Sequence, residues 1–143
     1  MTRRILLFAA ILFAVGFLSD VVLHAVHKRW VPSLAPYFRG QGYIWPGLAA
    51  GVTLLVALVP TLFLSQLLFG NPLPQGTNKE MIGFLLLAAC VGAAIDWLIY
   101  KTRFFGGRLD LYYKTLGAGF WGAAAYVFAL VVSWLGMNLL SEP

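Results

Sequence analysis

Residues 44–69 read IWPGLAAGVTLLVALVPTLFLSQLLF, without one acidic or basic side chain from end to end. A bilayer core about 30 Å thick takes roughly 20 mostly apolar residues of α-helix to cross, and this run is longer. In water, such a helix would have to be buried on every side. The composition of the whole chain forbids that. Of its 143 residues 61% are hydrophobic and only 10% charged, where a soluble domain carries about 25% charged residues. Mean hydropathy is +0.84. The chain therefore reads as an all-α, polytopic integral membrane protein.

Working outward from this run, three more segments have the length and apolarity of a span: residues 5–26, 81–100 and 116–140. The breaks between the four are chemically sensible. HKRWVPSLAPYFRGQG joins the first pair, GNPLPQGTNKE is a turn cluster, and KTRFFGGRLDLYYK is basic and aromatic. Pro46 suits a first helical turn, and Pro60 inside the second span predicts a kink. The first span is longer than a signal-peptide core and no A-x-A site follows it, so it reads as a retained helix. Cys90, the single cysteine, lies in an apolar run and reads as a small core residue.

The net charge of +5 does not come from one basic tract. Lys28, Arg29, Arg39, Lys101, Arg103, Arg108 and Lys114 sit between spans, where helix ends meet anionic headgroups. These are the expected headgroup-binding residues, and nucleic acid is not an expected partner. Arg3, Arg4 and Lys79 fall on the other side of the four-span arrangement. The excess of cations in loops one and three predicts that those loops are cytoplasmic and both termini are outside. Tyr112, Tyr113, Phe120 and Trp121, with Trp30, Tyr37, Tyr43 and Trp45, read as interfacial aromatic belts.

The chain also repeats itself. VGFLSDVVLH around Asp20 and VGAAIDWLIY around Asp96 share V-G-x-x-x-D-x-x-[LI]-[HY] at an offset of 76 residues. At that offset 11 of 67 aligned pairs are identical, roughly twice what this composition gives by chance. One membrane domain, 1–143, is then expected to hold two tandem helical hairpins, 1–69 and 77–143, as a parallel 2+2 repeat.

Asp20, His24 and His27 are spaced i, i+4, i+7, and Asp96, Tyr100 and Arg103 repeat that spacing, so each set falls on one helical face. Gly16 and Gly92 continue those faces inward and permit close helix approach. In the fourth span, Ala118-x-x-x-Gly122 and Gly119-x-x-x-Ala123 are further packing candidates. The six polar residues are candidates for two roles. As fasteners, the aspartates would hold helices in register. As an ion path, they would carry protons or cations, a role that intramembrane acids often mark. Asp20, His24, His27 and Asp96 also have the ligand types of a zinc or iron site, but hydrogen-bonded helix ends give the same pattern, and neither a metal nor another cofactor is expected.

The stretch GAAIDWLIYKTRFFGGRLD (92–110) resembles the third-helix region of lipoprotein signal peptidases. Ala93 and Ala94 stand where that family has an asparagine, and LGAGFWGAAAY lacks its second aspartate. Without the second carboxylate the acid–base pair of aspartic proteolysis cannot form. No phosphate loop, G-x-S-x-G or H-E-x-x-H occurs either, and no catalytic residue is expected.

The combination FLSDVVLH, APYFRG and YYKTLGAGFWGAAAYVFALVVSW resembles small four-helix membrane proteins of large DNA viruses that infect algae and protists. That resemblance implies a protein of the virion's internal membrane or of a host membrane, and assigns no functional residues. The expected function is non-enzymatic: helix packing and assembly, as a homo-oligomer or with other membrane proteins. The alternative is a small oligomeric proton- or cation-linked transporter using Asp20 and Asp96.

Overall fold

The computed structural model describes residues 1–30, 44–104 and 117–141, with the side chains of 27–30 and 141 outside the description. All regular structure in these residues is α-helical: α1 Thr2–Trp30, α2 Ile44–Phe69, α3 Asn78–Thr102 and α4 Phe120–Ser141. All four are long and apolar enough to cross a membrane. At 1.5 Å per residue the 26 residues of α2 extend about 39 Å, beyond the hydrocarbon thickness. Only 17% of the most apolar window of α1, and 28% of those in the other three helices, is buried. Leu6, Leu18, Val59, Phe63, Leu86, Phe128 and Leu139 all stand outward, a surface suited to lipid or to neighbouring spans.

Local chemistry sets the helix ends. Thr77 Oγ1 accepts the Glu80 amide, and Glu80 Oε2 accepts the Gln75 amide, a variant of the capping box worth about 1 kcal/mol. At the other end of α3, Arg103 takes the left-handed conformation at φ 49°, and its amide donates to the Ile99 and Tyr100 carbonyls. Gly70, at φ 74°, closes α2 by donating to the Gln66 carbonyl at 3.1 Å. α2 runs through Pro60 without ending. The hydroxyl of Thr61 donates to Ala57 O at 2.8 Å, so a side chain adds a bond next to the place where proline removes a backbone donor.

The helices pack as two compact units, one of Met1–Leu55 with Val132–Pro143 and one of Val56–Val131. In the first, α1 runs antiparallel to the start of α2. Phe13 covers Gly51, Phe17 covers Gly47, and Gly16 lies against Gly51 and Leu54. Phe8 meets Trp134 edge-on with ring centroids 6.2 Å apart, and the Arg4 guanidinium lies 5.5 Å from the same indole. In the second, Phe69 covers Gly83, and Gly92 meets Gly122 and Tyr126. Ala57, Leu58, Phe84, Ala88, Tyr126 and Leu130 belong to its buried residues. Cys90 is exposed, contrary to its expected place in a core: it lies on the face of α3 shared with Leu86, Ala94 and Trp97, all exposed.

Candidate functional site

Asp96 lies on α3 one turn beyond Gly92 and reaches the first turn of α4. Its Oδ2 accepts the amide N–H of Gly119 at 2.8 Å and of Gly122 at 3.1 Å. A helix leaves its first amides without internal partners, and the residue just before it normally satisfies one with its own side chain. Here that residue is Gly119, which has φ 101° and no side chain, while its carbonyl already accepts the Ala123 amide at 2.9 Å. The carboxylate of a neighbouring helix does the capping instead. Its negative charge also suits the positive end of the α4 dipole.

Two glycines make this reach possible. A Cβ on Gly122 would collide with Asp96 Cβ and come within 2.6 Å of Gly92 O. A Cβ on Gly92 would stand 2.8 Å from Gly122 O. Gly92 and Gly122 thus meet by backbone-to-backbone approach. The expected Gly119-x-x-x-Ala123 and Ala118-x-x-x-Gly122 helix faces require a correction. Ala118 and Gly119 precede α4, which starts at Phe120. Positive φ at Gly117 and Gly119 is incompatible with the right-handed helix that such a motif needs.

Asp20 has different surroundings, built by its own helix. His24 Nδ1 lies 2.9 Å from the Asp20 main-chain oxygen and 3.1 Å from its Oδ2. Both neighbours are acceptors, which assigns the ring proton to Nδ1. That hydrogen goes to the carbonyl, so the Oδ2 contact is proximity of charge rather than a second hydrogen bond. Oδ2 is itself buried and accepts no hydrogen bond. His24 is 6% exposed.

The remaining candidates scatter. Tyr100 is exposed. Arg103 leaves the stripe, because α3 ends at Thr102 and the left-handed turn breaks the helical stepping. Lys101 Nζ lies 5.6 Å from the centroid of the Trp97 ring, a pairing of cation and indole suited to a membrane interface. Gly16 packs against α2 as described. The side chains of His27, Lys28 and Arg29, and residues Arg39, Arg108 and Lys114, lie outside the described residues. Among the described residues no three His, Cys, Asp or Glu side chains group as a metal site.

A buried polar line escaped the sequence reading. Tyr126 O–H donates to Thr61 Oγ1 at 2.8 Å, and Thr61 donates in turn to Ala57 O. Ser65, one turn on, donates to Asn71 O at 2.8 Å. The signal was available: Thr61 and Ser65 stand one turn apart beside Pro60, two hydroxyls on one face of α2 inside an apolar run.

Four such helices with outward apolar faces and inward polar contacts define a multi-pass membrane protein. No protein-family model, curated protein or solved structure matches the chain, so its function is read from its own residues.

Proposed function

We propose that this is a non-enzymatic membrane protein that works through helix packing and assembly, with Asp96 as the polar fastener. The observation that carries this is the pair of amide bonds from Gly119 and Gly122 to Asp96 Oδ2. An acid that caps a neighbouring helix has its acceptor oxygen committed, which suits a joint better than a moving proton. Exposed apolar faces leave room for further copies or other spans. Lys101 over Trp97 and Arg4 over Trp134 suit attachment to anionic headgroups at helix ends. The viral membrane setting enters this proposal through the sequence resemblance alone.

The proposal includes the tandem repeat. α2 and α4 begin at Ile44 and Phe120, which are equivalent at the offset of 76 residues. Gly16 meets α2 at Gly51, and Gly92 meets α4 at Tyr126, one residue from the equivalent position. These coincidences support two hairpins built on one plan.

The test is reconstitution in liposomes, with proton flux under an imposed potential and oligomeric state by cross-linking measured together. Wild type is expected to pass no protons, and Asp96→Ala is expected to weaken assembly. Proton flux in wild type that Asp96→Asn abolishes, with the oligomer intact, would overturn the assembly reading in favour of transport.

A further inference from the structure

Asp20 and Asp96 occupy equivalent places in the repeat but not equivalent chemistry. In the first unit Phe13 packs on Gly51 and Phe17 on Gly47, so each turn forward on α1 is a turn back on α2. Continuing that antiparallel register by three residues brings Asp20 level with Ile44, where α2 starts. Asp96 stands at the first turn of α4 in the same way. The donors to Asp96 are the amides of Gly119 and Gly122. Seventy-six residues earlier stand Tyr43, outside the described residues, and Pro46.

Proline has no N–H. The donor that fills one lone-pair direction of Asp96 Oδ2 is missing opposite Asp20, and Asp20 Oδ2 is buried without a hydrogen bond. We infer that Asp20 with His24 is a proton-binding site, opened by Pro46 where the second hairpin has a closed cap. The ligand is a proton, taken up at Oδ2 from the loop-one side. The carboxyl holds it at Oδ2, 3.1 Å from a His24 Nδ1 whose own hydrogen is already engaged by the Asp20 main-chain oxygen.

Few other ionisable side chains are described in this unit. α2, Ile44–Phe69, carries no ionisable side chain, and neither does the Val132–Ser141 part of α4 in this unit. On α1, Arg3 and Arg4 are at the far end. His27, Lys28 and Arg29 follow His24 with side chains outside the described residues. This inference rests on the tandem repeat but not on assembly, since it concerns the aspartate that the fastener role does not use.

The test is labelling of the full-length protein in liposomes with a hydrophobic carbodiimide, which reacts with protonated carboxyls in apolar surroundings. Sites are read by mass spectrometry across a pH series. Asp20 should be modified, progressively less as pH rises, with Asp96 unmodified in the same sample as an internal control. Asp20→Asn should remove the signal. Pro46→Ala restores an amide donor, and the labelling rate at Asp20 should fall about ten-fold at a given pH, the effect of one hydrogen bond to a charged group. Absence of label on Asp20 at every pH, equal labelling of Asp96, or an unchanged rate in Pro46→Ala would each overturn the inference. Failure of assembly alone would show in the Asp96→Ala oligomer and leave the Asp20 labelling in place.

Discussion

Replacing Gly122 with alanine should destabilise this protein, against the ordinary direction of that change. In a helix interior, alanine is favoured over glycine by about 0.8–1 kcal/mol. At Gly122 the new methyl would collide with Asp96 Cβ and stand 2.6 Å from Gly92 O and 2.8 Å from Asp96 Cγ. Two of these contacts are backbone or the stem of a side chain, so rotamer changes do not relieve them. α3 and α4 must separate, at an overpacking cost of about 1–3 kcal/mol. Separation also stretches the two amide bonds to Asp96, each worth about 1.5–3 kcal/mol as a bond to a charged acceptor. Losing most of one, with the strain, outweighs the propensity gain by about 2–4 kcal/mol. Gly136 supplies the control on the same helix. Its added methyl would find Ile11 Cγ2 at 3.6 Å, an ordinary contact, so Gly136→Ala should be neutral or stabilising by up to about 1 kcal/mol. Reversible unfolding in mixed micelles measures both. Equal effects of the two substitutions, or a stable Gly122→Ala, would refute the close α3–α4 contact.

Tyr126→Phe removes the donor to Thr61 while keeping the ring, and should cost about 0.6 kcal/mol, up to about 1.7, in the same unfolding assay; a larger loss would mean that the hydroxyl has partners beyond Thr61. Cys90, exposed near the middle of α3, is the chain's one cysteine and takes a spin label without mutagenesis. In liposomes that label should collide freely with oxygen and little with a water-soluble nickel chelate, and the reverse pattern would place this face of α3 against water. Thr77→Ala removes the side chain that accepts the Glu80 amide, and should cost about 1 kcal/mol, read as lowered helicity and earlier unfolding; an unchanged midpoint would mean that water caps α3 equally well.

The four helices were legible because apolar length is a property of the chain alone. Residues 44–69 contain no charge to interrupt a span, and α2 has those bounds. The other ends moved for identifiable reasons. α3 starts at Asn78 rather than 81 because Thr77 and Glu80 supply a cap, which hydropathy does not register. α4 starts at Phe120 rather than 116 because Gly117 and Gly119 take positive φ. That each aspartate needs a compensating partner was also legible, since a carboxyl in an apolar run must be compensated somehow.

What compensates Asp96 was decided by tertiary structure. In a bilayer, lipid-facing and neighbour-facing sides of a helix are both apolar, so periodicity does not say which residues of α4 meet α3. The amides that hold Asp96 belong to the backbone, and any sequence has amides. Only the glycine approach at Gly92 and Gly122 brings these two within reach. Asp20 carries the same motif letter for letter, V-G-x-x-x-D, yet has His24 and no amide donor. Pro46, 26 residues further along the chain and 76 before the donating Gly122, has no N–H to offer.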